Sequence, residues 1–277
     1  MNCKRPLVRY HGGKWMLATW IISHFPEHRI YVEPYGGGGS VLLRKPRCYA
    51  EVYNDLDHEI VNLFQITRDR GQELKERLRL TPFSRAEFDL SYQPIEDPIE
   101  KARRTVVRAY MGFASAAASG EVTGFRATSY RAGTSPAHDW ANYPDAMEYI
   151  IERLRGVVIE NRDAAAVMAS HDREDTLHYV DPPYVHSTRS TKVRGTDNRK
   201  SYRFEMTDND HLAMATAIRT LTGMVIVSGH PCDLYDDELF TDWQRISHVA
   251  CADGARDRIE VLWLSPNIQL KQMRLIV

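Results

Sequence analysis

Cysteine is scarce in this chain. Only Cys3, Cys48, Cys232 and Cys251 occur among 277 residues, at spacings that fit neither paired zinc ligands nor a disulfide framework, so reduced, metal-free thiols are expected. No apolar run approaches the roughly 20 residues of a membrane helix. Residues 1–10 carry Lys4 and Arg5 but no signal-peptide core. A cytoplasmic protein without a membrane or metal partner is therefore expected. Internal repeats and low-complexity tracts are absent too. Charge of one sign is missing in bulk: 36 Lys and Arg stand against 37 Asp and Glu, a formal −1, which gives the chain as a whole no electrostatic footprint for a polyanion.

What charge there is falls in clusters. Arg103, Arg104 and Arg108 lie together, Arg126 and Arg131 follow, and Arg189, Lys192, Arg194, Arg199, Lys200 and Arg203 crowd one stretch, while acids gather at 233–238. A charge run is usually a solvated face. The richest basic run, however, directly follows Asp181-Pro182-Pro183-Tyr184, a placement that favours phosphate contact.

Periodicity gives an α/β chain. A helical pattern at 14–25 is followed by a strand at 29–33, a glycine loop, a helix starting at Ser40, a strand at 48–53 closed by Asn54-Asp55, and a helix lined by Leu56, Ile60, Val61, Leu63 and Phe64. From 71 to 149 the strand rhythm stops. Helical patterns at 73–80 and 99–111 precede a polar, glycine-containing stretch at 112–139. Alternation then resumes with strands at 156–160, 176–180 and 224–228, helices at 164–170 and 208–221, and late apolar runs at 243–250 and 259–264 that suit an antiparallel edge pair. A mainly parallel sheet covered on both faces is expected from 1–70 and 150–277, with 71–149 as a smaller, mostly helical insert.

Two motifs carry chemistry. Pro182 and Pro183 lack backbone N–H groups and have fixed φ, so Asp181-Pro182-Pro183-Tyr184 at a strand end forms a stiff corner of acceptors beside an aromatic ring. Such a corner suits a planar group with N–H donors, such as an exocyclic amine. The second motif is Glu33-Pro34-Tyr35-Gly36-Gly37-Gly38-Gly39-Ser40, where glycines let backbone approach a ligand closely. It is not a P-loop, because Gly13-Lys14 is followed by Trp15 and no G-K-[ST] occurs. Asn54-Asp55, Asp163 and Asp181 fall at or just past strand ends and should share one rim with the glycine loop.

With Tyr10-His11-Gly12-Gly13-Lys14 placed ahead of them, these motifs stand in an order that resembles the Dam-like, D12 class of N6-adenine-specific DNA methyltransferases over most of the chain. The resemblance implies a Rossmann-like class I methyltransferase domain, S-adenosylmethionine as cofactor and double-stranded DNA as partner. It implies cofactor contacts from Tyr10, Lys14, Glu33, Tyr35, Gly36, Gly38, Asp55, Asp163 and Asp181. Asp55 suits ribose hydroxyls and Lys14 a carboxylate. Tyr10 stands where the family often has an indole. Asp181 and Pro182 would accept the two amino hydrogens of an extruded adenine during direct in-line transfer, and Tyr184 would stack on the base. Target recognition is expected from 71–149, with Arg126 and Arg131 as base readers, Arg103, Arg104 and Arg108 on phosphates, and Arg189 and Lys192 adding phosphate contacts from the basic loop.

Pro231-Cys232 resembles the nucleophile of cytosine-C5 methyltransferases, but it lies late in the chain and the amino-transfer motif is intact, so Cys232 is read as incidental. His186 and His230, near predicted rims, are read as structural. The same chemistry on RNA adenine, cytosine N4 or a protein amide is one competing function. A DNA-binding homologue without catalysis is another, and no erosion at Asp181 or the glycine loop supports it.

Overall fold

The computed structural model describes residues 3–113, 122–128, 133–188, 202–252 and 256–269. Five parallel strands, β1 (Ile30–Glu33), β2 (Ala50–Asn54), β3 (Val157–Glu160), β4 (Thr176–Val180) and β5 (Met224–Gly229), are joined by an antiparallel pair, β6 (Gln244–Ala252) and β7 (Arg256–Leu264). The sheet order is β3-β2-β1-β4-β5-β7-β6. The late pair thus forms one edge, with β7 against β5 and β6 outermost. Every residue of β4 and β5 is buried, which is why both read as continuous apolar runs rather than alternating ones.

The order reverses between β1 and β4. The chain builds outward from β1 through β2 to β3, then crosses back to enter β4 on the other side of β1. At such a switch point the loops leaving the two central strands diverge and open a crevice beyond their carboxyl ends. Glu33 and Asp181 stand at its two sides.

Helices α1 (Ala18–Ser23), α2 (Ser40–Arg44), α3 (His58–Asp69), α4 (Gly71–Arg79), α5 (Arg85–Leu90), α6 (Pro98–Met111), α7 (Pro136–Ala141), α8 (Tyr143–Leu154), α9 (Ala164–Ser170) and α10 (Asp208–Arg219) complete the framework. The helix expected at 14–25 is shorter. Gly13 donates to the Tyr10 carbonyl in a tight turn, residues 15–17 form a further turn, and Lys14 is buried. Within 71–149 the structure adds α5, α7 and α8 to the two helices legible in the pattern. Ser84 caps α5 by accepting from the Glu87 amide, and α8 continues past position 149 to Leu154. Val106, Trp140, Tyr143 and Met147 from this region share one apolar cluster with Tyr31, Tyr53 and Phe64, so these helices and the sheet have a common core. No helix among the described residues is long and apolar enough to cross a membrane.

A buried ion cluster fastens α8 to the sheet. Arg153 contacts both oxygens of Glu51 on β2, at 2.6 and 2.9 Å, and donates to the Leu42 carbonyl. Lys45 reaches the same carboxylate at 2.6 Å. Burial would raise the Glu51 carboxyl, but Arg153 and Lys45 outweigh it and hold it below its ordinary value.

Candidate active site

The glycine loop owes its composition to the aromatic rings around it. A Cβ on Gly36 would stand 2.2 Å from the Tyr53 ring, and Gly37 has φ +47° with Tyr10 packed against it. Side chains cannot be accommodated there. Tyr53 stacks on Phe64 at 4.1 Å and donates to the Gly37 carbonyl, while Gly36 donates to the Asn54 carbonyl at 2.7 Å. The loop is therefore rigid before any ligand arrives. Asp55, just past β2, accepts from the Gly37 amide at 2.8 Å through one oxygen and from the Asp57 amide at 2.8 Å through the other. Burial raises its carboxyl to about 6, against the pull of those amides. Glu33 is pushed further, to about 8, by burial, although the Tyr31 hydroxyl and the Leu42 amide both donate to it. It is held mostly as a neutral acid at pH 7.

Across the crevice, Asp181 is clamped from two sides. The Lys14 ammonium lies 2.7 and 2.9 Å from its oxygens, and Ser228, near the end of β5, donates to Oδ1 at 2.8 Å. Lys14 also donates to the Tyr184 hydroxyl and the Gly12 carbonyl. Burial alone would lower its pKa, but Asp181, Glu260 and Tyr184 outweigh that and keep it cationic, well above the ordinary lysine value. The half-buried Tyr184 has Lys14 over its ring and His230 tilted against it at 4.4 Å.

Between these walls lies a cleft of about 900 Å³, open to solvent. Tyr10, Lys14, Glu33, Tyr35, Gly36, Gly38, Asp55, Asp181 and Pro182, scattered across the sequence, all border it. Residues 202–206 cover part of it. Tyr202 meets His11 edge-on at 5.1 Å, and Arg203 pairs with Asp57 at 2.8 Å.

Several expected residues are not brought into this cleft. Asp163 does not border it: its side chain caps α9 by accepting from the Ala166 amide. Arg103, Arg104 and Arg108, expected on phosphates, are engaged in internal ion pairs. Arg103 and Arg104 are 8% exposed; Arg103 engages Glu100, Glu87 and Thr81, and Arg104 engages Glu100 and the Gln93 carbonyl. Arg108 is bound by Glu59 and the Ser91 carbonyl. These bonds hold α6 in place. Arg126 borders a second groove with Met16 and Phe113, beside the first through shared Tyr10, Gly13 and Ser40. Arg131, Arg189 and Lys192 lie outside the described residues. Sequence reasoning did not find Ser228 and Glu260, which reach the site only through the β4-β5-β7 adjacency.

Comparison with known proteins places this arrangement among relatives. A family model for the D12 class N6 adenine-specific DNA methyltransferase matches residues 10–247. A DNA adenine methylase of Salmonella typhi is 24% identical over 267 residues, covering 90% of this chain and 87% of that protein. The enzyme of the same name from Escherichia coli K12 is 29% identical over 79 residues, 28% of each chain.

Proposed function

The chain belongs to the D12 class of N6 adenine-specific DNA methyltransferases, and from that premise we propose that it methylates N6 of an adenine extruded from double-stranded DNA, with S-adenosylmethionine as donor. The observation that carries this reading is the cleft at the β1/β4 switch point, with Asp55 and the glycine loop on one side and Asp181-Pro182 on the other. The residues fit the donor. Backbone without side chains lies along the floor, Tyr10 and Tyr35 offer apolar walls, and the Asp55 carboxylate, held by two amides, keeps lone pairs for ribose hydroxyls. When bound, S-adenosylmethionine supplies an electrophilic methyl group.

The chain's own part is positioning and electrostatics. The adenine N6 lone pair is delocalised into the ring, so the amine needs its hydrogens drawn off as it attacks. The Asp181 carboxylate and the Pro182 carbonyl each accept a hydrogen bond from the amine, Lys14 and Ser228 prevent the carboxylate from turning away, and the one proton shed as the methyl bond forms leaves by way of Asp181 to solvent. Lys14 is accordingly assigned to Asp181 rather than to the carboxylate of the donor. Tyr184 stands beside the cleft lining rather than in it, and the exposed part of its ring serves the purine once that base is extruded. Stacking worth about 1–3 kcal/mol offsets much of the few kcal/mol spent unstacking the base. Arg126 and the rest of 71–149 read the target, and the chain works in the cytoplasm, where its DNA substrate would be.

Methyl-labelled donor, offered with duplex DNA, RNA and protein in turn, tests the assignment. Label should enter duplex DNA as N6-methyladenine, and Asp181→Ala should abolish it while keeping a cooperative melt. Label found only in RNA, protein or cytosine would overturn the reading.

A further inference from the structure

Glu260 lies on β7, 3% exposed, behind the catalytic corner and away from the cleft. The Tyr184 hydroxyl donates toward its oxygens at 3.2 and 3.4 Å, Lys14 Nζ is 3.6 Å from Oε1, and His230 Nδ1 is 4.0 Å from Oε2. The Lys14 ammonium is therefore held between two carboxylates, Asp181 in front and Glu260 behind. One cation cannot neutralise both. How it divides between them sets how strongly Asp181 can accept a proton-bearing amine.

We propose that Glu260 is a positioning residue for methyl transfer, sharing the Lys14 ammonium so that Asp181 stays a strong acceptor aimed at the target amine. The inference rests on the function proposed above. When Glu260 is neutral, the whole Lys14 charge falls on Asp181, the pull on the amine hydrogen weakens, and the chemical step slows. Binding is not affected, because Glu260 does not border the cleft.

This predicts a pH dependence with a definite sign. Burial raises Glu260 to about 7, against the pull of Lys14 and with a further push from Asp181. Below that pH it is neutral and above it ionised, so kcat rises as pH climbs through about 7. The other groups facing it are Lys14 from the N-terminal segment, Tyr179 on β4, Asp181 and Tyr184 after β4, His230 after β5, Arg258 along β7 and His248, its register partner on β6. Lys14 and Tyr184 are both raised well above their ordinary values, and burial lowers His230 from its ordinary 6.5. Those three titrate away from the rise assigned to Glu260.

Glu260→Gln and Glu260→Asp should be compared with the unmodified protein across about pH 6 to 8.5. For Glu260→Gln, kcat should fall roughly tenfold at the high end and its rise through neutrality should vanish, with both KM values within about twofold. Glu260→Asp should recover part of the rise. A readout independent of turnover is infrared difference spectroscopy of the ligand-free protein on either side of neutrality, where the Gln variant should lack one carboxyl band. A Gln variant that methylates DNA with the full rate and pH rise overturns the inference and leaves the functional reading intact. If the unmodified protein methylates no DNA, both fall. Should the Gln variant not fold, the unmodified protein decides: a kcat that rises through neutrality supports the inference, and a flat one overturns it.

Discussion

Arg203 donates to Asp57 at 2.8 Å and lies 3.4 Å from Glu59, tying the segment that covers the cleft to the first turn of α3. Asp57 is the N-cap of that helix, and Asp55, two residues earlier, lines the cleft. Glu59 is shared with Arg108 of α6. Two guanidinium groups on one carboxylate thus connect the cover of the cleft to the helices of 71–149.

The Arg203 side chain is 32% exposed, so solvent screens its pairs and cutting them should loosen the cover without unfolding the protein. Arg203→Ala is expected to weaken binding of S-adenosylmethionine by about three- to fivefold, with little change in melting temperature. Titration calorimetry gives the comparison. An unaltered dissociation constant would mean that residues 202–206 do not help retain the cofactor.

The buried arginines of α6 and Arg126, half-buried in the second groove, should separate cleanly. Arg103→Ala removes bonds to Glu100, Glu87 and Thr81 and should lower stability by about 1–3 kcal/mol. It should leave the dependence of DNA affinity on salt unchanged. A fall of about one in the log–log salt slope would return Arg103 to the phosphate contacts. Arg126→Ala, by contrast, should narrow discrimination between target and near-target sites by about 1–3 kcal/mol while methylation continues. Unaltered site preference would take Arg126 off the list of base readers.

Strand ends were legible in the sequence, and the walls behind them were not. Glu33, Asp55 and Asp181 stand out because each closes an apolar run, and in a parallel sheet all such ends meet on one rim. Ser228 and Glu260 carry no comparable mark. Ser228 follows an apolar run like any strand residue, and Glu260 sits within one, so their nearness to Asp181 depends on the sheet order. The ion pairs of Arg103 and Arg104 do carry a local mark: Glu100 precedes them by three and four residues, the spacing at which helical side chains pair. The N-cap role of Asp163 was equally local, since its oxygen reaches only as far as the Ala166 amide.

Arg153 should be among the most costly positions in the chain outside the cleft. Removing it leaves the Glu51 carboxylate buried with Lys45 alone and detaches α8 from β2. Arg153→Ala is expected to destabilise by about 3–5 kcal/mol in urea unfolding. A loss under about 1 kcal/mol would show that Lys45 suffices to hold the buried charge.

Glu33 makes stability depend on pH in the direction opposite to an ordinary paired carboxylate. Its folded-state value, about 8, lies above the ordinary 4.5, so between these limits the folded chain keeps a proton that the unfolded chain has released. The stabilisation from the neutral acid is fully present below 4.5 and drains away as pH rises towards 8, amounting to several kcal/mol at most. Glu33→Gln retains an acceptor for Tyr31 and Leu42 but cannot ionise, so its melting temperature should fall less than that of the unmodified protein over this range. A positive charge bound in the cleft would favour the carboxylate. Calorimetry in buffers of different ionisation enthalpy should then show release of about one proton on S-adenosylmethionine binding near pH 7, and none for Glu33→Gln. Equal proton release by both proteins would place the titrating group elsewhere, with Asp55, at about 6, the next to test.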